Sequence, residues 1–172
     1  MKKYFVVIAL VLVFAVAAYA GSMSGIGTSP KGLETPIEKA AVKLVTDVKD
    51  GGYKLIGTEE LNKWVTEKND FLLIDTMPKE NFDKIRIQGA VNSFMPKTDK
   101  ELTPADKENI LKIADKDKKK TVVVYCGFTA CGRSHLGAKT LVENGFKNVY
   151  RYPGGIVAWN ENGYPVEGTD TK

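Results

Sequence analysis

The sequence predicts an α/β domain, a mostly parallel sheet flanked by helices on both faces. Three observations point to it. Val122-Val123-Val124-Tyr125 is apolar at consecutive positions rather than alternate ones, the pattern of a strand buried on both faces. Other short apolar runs, Phe71 to Asp75 and Val149 to Tyr152, alternate along the chain with stretches of helical period. Gly51-Gly52, Gly145 and Pro153-Gly154-Gly155 punctuate the junctions between them.

The chain opens with Lys2 and Lys3, an unbroken apolar run from Tyr4 to Ala18, and Ala18-Tyr19-Ala20 before Gly21. That order of charge, apolar stretch and small residues is a secretory signal peptide over residues 1–20, which places the mature protein in the periplasm or outside the cell. An uncleaved leader anchoring the chain in a membrane is the alternative. Residues 21–52 form a linker and a helical extension. Gly21 to Gly32 is small and polar. From Pro36 to Val48, Ile37, Ala40, Ala41, Leu44, Val45 and Val48 recur at helical spacing. The stripe is expected to pack on its own domain, with docking to a protein partner as the alternative.

The domain proper is expected over residues 53–167, followed by a short tail, 168–172. It begins with a strand, Tyr53 to Ile56, and a helix capped by Thr58 and running to about Glu67. A strand from Phe71 ends at Asp75, a short helix follows over Pro78 to Phe82, and Ile87 to Asn92 reads as a strand. Thr103-Pro104-Ala105-Asp106 supplies an N-cap, a first-turn proline and an acid that reaches back, so a helix starts there with Ile110, Leu111 and Ala114 buried. After Tyr125 comes a loop, then a helix over about Ser134 to Asn144, a strand at Val149 to Tyr152 and a helix over Ile156 to Asn162. Trp159 and Trp64 are expected in the core.

The whole chain of 172 residues carries 25 basic and 21 acidic side chains; without Lys2 and Lys3 the balance is 23 to 21. So near-neutral a mature chain argues against nucleic acid as a partner. Lys118-Lys119-Lys120 reads as a solvated loop. The length outside the leader suffices for one domain with its own core, without disulfides or metals.

Both cysteines follow the central strand, in Cys126-Gly127-Phe128-Thr129-Ala130-Cys131-Gly132-Arg133-Ser134. Two glycines and small side chains let such a loop curl with its N–H groups inward, an anion cradle with a helix N-terminus behind it. A thiolate held there has a lowered pKa. Asp75, at the end of its own strand, is expected on the same sheet edge as Cys126.

Val122-Val-Val-Tyr-Cys126, Gly132-Arg-Ser134, Asn144 to Tyr150, Gly154-Gly-Ile-Val-Ala-Trp159 and Gly163-Tyr-Pro-Val166, with Leu72 to Asp75 and Ile87 to Asn92 upstream, resemble a single-domain rhodanese. The resemblance covers Tyr53 to Glu167. It implies a sulfurtransferase with no cofactor, taking sulfur from a small anion such as thiosulfate and passing it to a thiol acceptor. Cys126 is then the nucleophile that becomes a persulfide. Gly127, Phe128, Thr129, Ala130, Gly132, Arg133 and Ser134 form the cradle, with Arg133 orienting the donor and Ser134 capping the helix.

The chain also departs from the family. Eight residues from Cys126 to Arg133 make a loop longer by two than the family's usual one, which implies a wider cradle and leaves the donor open. Met77 stands where an arginine is common, and Arg86, where a histidine is common, replaces some of that charge. Cys131 has three readings: half of a structural disulfide, a resolving thiol that attacks the Cys126 persulfide, or an inert small residue. His135 is expected toward solvent or the pocket rim; a metal site built from it and the cysteines lacks a fourth ligand. Two readings of another class remain: a non-catalytic module that binds sulfur or a metal, and a dithiol redox protein.

Overall fold

The computed structural model describes residues 34–170, so the expected leader, most of the linker and the end of the tail lie outside the described residues. The chain divides into two compact units, residues 1–37 and 38–172. Of the first, only Glu34 to Ile37, the opening turn of helix α1 (Glu34–Gly51), falls among the described residues.

The second unit runs β1 (Lys54–Leu55), α2 (Thr58–Thr66), β2 (Leu72–Asp75), α3 (Lys79–Lys84), β3 (Arg86–Ile87), β4 (Val91–Asn92), α4 (Pro104–Ala114), β5 (Thr121–Tyr125), α5 (Arg133–Glu143), β6 (Asn148–Tyr152), α6 (Gly155–Glu161) and β7 (Val166–Glu167). A single 3₁₀ turn, Asp99–Glu101, precedes α4. Five strands form one sheet in the order β1-β6-β5-β2-β4, and every pairing in it is parallel. The stretch read as one strand from Ile87 to Asn92 is instead two, broken at Gly89, whose φ of 78° turns the chain. The first half pairs antiparallel with β7 in a separate ribbon, a partnership between residues far apart in sequence.

The consecutive apolar run of β5 divides between two cores because alternate side chains leave opposite faces. Val123 and Tyr125 join Leu61 of α2 and Ile156 and Trp159 of α6. Val122 and Val124 join Ile110 of α4 and Ala138 and Leu141 of α5. Val122 to Tyr125 are fully buried, and each buried valine contributes about 1.5–3 kcal/mol relative to exposure. Trp159 is in the core as expected, with Nε1 donating to the Pro165 carbonyl at 2.9 Å. Trp64 is half-buried between Phe71 and Tyr150.

One of two expected caps differs. Gly57, not Thr58, is the N-cap of α2, and the Thr58 hydroxyl bonds to the Tyr152 hydroxyl at 3.0 Å. The Thr103 cap of α4 forms as read, with Asp106 closing a reciprocal capping box. The apolar stripe of α1 packs only in part: Ala40, Leu44 and Val48 are half-buried, with Val48 against the core, and Ile37 is exposed. Ala41, Val42 and Val45 are exposed too, and Asp47 is the most enclosed side chain, between Leu44 and Val48. The cause is an ion pair described below.

Candidate active site

The parallel register sets Asp75, Tyr125 and Tyr152 side by side at the C-terminal edge of the sheet. Ligands of open parallel sheets bind at this edge. Cys126 leaves β5 there and the loop curls back over it to enter α5. Four of the loop's carbonyls are fixed by hydrogen bonds from outside the loop. Those of Cys126 and Gly127 accept from the first amides of α6, Ile156 N at 2.9 Å and Val157 N at 3.1 Å. Those of Thr129 and Cys131 accept from Nη2 of Arg151, at 3.1 and 2.9 Å. Gly155 makes the first pair possible. Its φ is 63°, and a Cβ there would lie 2.6 Å from the Gly127 carbonyl carbon.

The two sulfurs occupy opposite surroundings. Cys126 is buried, with Sγ 3.2 Å from the Ser134 hydroxyl, 3.7 Å from the Cys131 carbonyl oxygen and 4.0 Å from that of Phe128. Burial, and then the neighbouring Cys131 sulfur, push the Cys126 thiol well above its ordinary pKa. Cys131 is half-exposed. A hydrogen bond from the Cys126 thiol brings its pKa down to about 6, against partial burial and with help from the Arg133 and Gly127 amides and the Arg133 charge. Of the amides expected around Cys126, that of Ser134 reaches its sulfur, beside the Phe128 and Cys131 carbonyls, while those of Gly127 and Arg133 reach Cys131.

Cys131 opens into a cleft of about 580 Å³ floored by Gly127, Phe128, Ala130, Gly132 and Arg133 and walled by Met77, Pro78 and Asn81. Lys43 and Lys97 stand on its rim. Phe128 is 55% exposed, as a wider loop allows. Arg133 reaches the cleft, but its Nη1 donates to the Met95 carbonyl and its guanidinium lies 5.1 Å over the Phe94 ring. Gly132 is the N-cap of α5, so Ser134 lies inside the helix rather than capping it. The Ser134 hydroxyl accepts from Arg151 Nε at 3.0 Å and meets the Cys126 sulfur on its other side.

Asp75 lies beneath the cleft, fully buried. Oδ1 accepts from the Met77 amide at 2.7 Å, and Oδ2 has no hydrogen-bond partner. Burial raises its pKa to about 6, opposed by the Met77 amide. Arg86 does not supply the charge expected of it at the cleft: it pairs with Glu167 at 3.3 Å and lies over the Phe82 ring. His135 is buried rather than turned to solvent, and both ring nitrogens are engaged, Nδ1 with the Tyr53 hydroxyl at 2.9 Å and Nε2 with Asp50 at 3.3 Å. Burial lowers its pKa, which keeps the ring neutral, accepting from Tyr53 and donating to Asp50.

Sequence reasoning missed Arg151, Tyr53 and Asp47 as parts of the site. A signal existed for the first. In Val149-Tyr-Arg-Tyr152 the arginine shares a strand face with the buried Val149, and a charge in that register requires a buried partner.

A cysteine loop at the C-terminal edge of a five-stranded parallel sheet, with basic side chains at its mouth, is the layout of a site for group transfer from an anion. The chain belongs to the rhodanese-like domain family, whose model matches residues 57–162. It is 32% identical over 108 residues to the thiosulfate sulfurtransferase GlpE of Coxiella burnetii, covering 62% of this chain and 87% of that one. To a sulfurtransferase of Allochromatium vinosum it is 27% identical over 111 residues, covering 64% and 92%. A rhodanese-like domain-containing chloroplast protein of Arabidopsis thaliana matches at 28%, over 59% of its length. Among solved structures, the fold is shared with a thiosulfate sulfurtransferase of Pseudomonas aeruginosa (TM-score 0.59, 17% identity, covering 77% of this chain and 23% of that one). It is shared too with the polysulfide-sulfur transferase homodimer of Wolinella succinogenes (TM-score 0.55, 24% identity, covering 79% and 92%).

Proposed function

We propose that the chain is a sulfurtransferase that takes sulfane sulfur from a small anionic donor, such as thiosulfate, onto the Cys126–Cys131 pair. The persulfide expected on Cys126 is better placed on Cys131. The observation that carries this reading is the contrast in access: Cys126 is buried under the Phe128 and Cys131 carbonyls, whereas Cys131 opens into the cleft beside Arg133. The nucleophile is the thiolate that a donor in the cleft can reach, and that sulfur is Cys131.

With thiosulfate, the Cys131 thiolate attacks the outer sulfur. The new S–S bond forms as the donor's own S–S bond breaks, and sulfite leaves with the bonding pair. The persulfide keeps one negative charge, which the Gly127 and Arg133 amides face. A thiol acceptor then takes the terminal sulfur together with its own proton, and the Cys131 thiolate returns. Cys126 keeps its proton and lends it as a hydrogen bond to the developing thiolate. Lys43, Lys97 and Arg133 at the mouth favour an anionic donor. The charged, apolar and small-residue order of residues 1–20 supports export of the mature chain, and a native N-terminus at Gly21 is its expected mark.

Mass analysis of the full mature chain after exposure to thiosulfate tests the assignment. Cys131→Ser is expected to gain no sulfur, whereas Cys126→Ser gains one but reacts more slowly at neutral pH. Full loading of Cys131→Ser would return the nucleophile to Cys126. A Cys126–Cys131 bridge with no sulfur gained by the wild type would favour the dithiol redox reading.

A further inference from the structure

Arg151 is fully buried in β6, yet each of its five N–H groups has an acceptor. Nε donates to the Ser134 hydroxyl, Nη1 to Asp47 at 2.9 Å and the Tyr53 hydroxyl at 3.1 Å, and Nη2 to the Thr129 and Cys131 carbonyls. Three of these acceptors belong to the cysteine loop and the first turn of α5. The guanidinium is thus the clamp that fixes two carbonyls of the loop around Cys131.

A buried guanidinium needs a carboxylate, because an unpaired charge in the interior is strongly destabilising. Among the described residues, the carboxylate paired with Arg151 is Asp47. It sits in α1, outside residues 57–162, the part of the chain that the family model matches. Lys43 pairs with Asp47 from the preceding turn at 2.6 Å, so the acid is held from two sides. Burial works to raise its pKa, but the hydrogen bonds from Lys43 and Arg151 hold it below the ordinary value. This draws Asp47 inward between the half-buried Leu44 and Val48 and leaves Ile37, Ala41 and Val45 exposed.

We infer that Asp47 is a positioning residue for sulfur transfer: through Arg151 it fixes the Thr129 and Cys131 carbonyls and so the loop that surrounds Cys131, making the N-terminal helix a working part of the site. The inference rests on Cys131 being the reactive thiol. The charged and titratable groups around the clamp are Lys43 and Asp50 on α1, Tyr53 beside β1, and His135 on α5. Around the thiols they are Asp75 and Arg133. Removing Asp47 leaves Arg151 without its counter-ion, so the guanidinium swings toward water and the loop carbonyls are released.

The test is the pH dependence of Cys131 alkylation by iodoacetamide, read by peptide mass in the full mature chain. Wild type is expected to show a midpoint near 6. In Asp47→Ala the midpoint rises by at least one unit, so reactivity at pH 5 falls about tenfold or more. Asp47→Asn keeps the shape and one acceptor for Arg151 without the charge, and shifts less in the same direction. An unmoved midpoint in Asp47→Ala, even with a lowered Tm, overturns the inference and leaves Asp47 a purely structural residue. If the alanine variant does not fold, Asp47→Asn decides on the same criterion. A wild-type midpoint near that of an ordinary thiol, about 8.5, would instead sink the assignment of Cys131.

Discussion

Asp75 gives the structure an unusual stability profile. Its carboxyl is fully buried, one oxygen is without a partner, and its pKa rises from 3.8 to about 6. A raised pKa means that the folded state holds the proton more tightly than the unfolded state. The stability it brings is fully present below pH 3.8 and is lost as pH rises through 6. About two units at 1.36 kcal/mol each come to about 3 kcal/mol lost between pH 3.8 and 7. Asp75→Asn removes the titration while keeping an acceptor for the Met77 amide. Other groups titrate over the same range: Asp47 and Asp50, held below their ordinary pKa, and the neutral His135 all lose stability as pH falls. The quantity to follow is therefore the difference between variant and wild type. Urea unfolding of both chains at pH 4.5 and 7.5 is expected to show the asparagine variant gaining relative stability toward neutral pH, by about 2–3 kcal/mol. A difference constant with pH would refute the reasoning and mean that the carboxyl is solvated or paired in solution.

Two further substitutions probe how the site is held. Gly155→Ala puts a Cβ against the Cys126 and Gly127 backbone at a φ of 63°, and is expected to cost about 2–4 kcal/mol in chemical denaturation and to lower sulfur loading, since the carbonyls that α6 fixes must move. Loading at the wild-type rate would show that α6 does not shape the loop. Thr103→Ala opens the capping box with Asp106 and is expected to cost about 1 kcal/mol, a Tm loss of about 3–4 °C by calorimetry, with sulfur loading unchanged.

Sequence alone settled what depends on neighbours along the chain. A consecutive apolar run must be covered on both faces, so Val122 to Tyr125 lies at the centre of a parallel sheet. Thr103-Pro-Ala-Asp106 contains its own donors and acceptors, so the start of α4 was legible within four residues. The position of both cysteines just past a strand end followed from the same local pattern, as did the family resemblance that the match over residues 57–162 bears out. Tertiary structure alone decided how the two sulfurs differ. That difference depends on which way the loop carbonyls point, and these are turned by α6 and by Arg151, elements that follow the loop in the chain. Arg151 in turn answers to Asp47, 104 residues away. Periodicity says which face of a helix is apolar; it does not say that a buried arginine elsewhere will draw an acid inward and leave part of that face exposed. Burial and charge pairing act through space, so the chemistry of this loop was fixed by side chains that the sequence holds far from it.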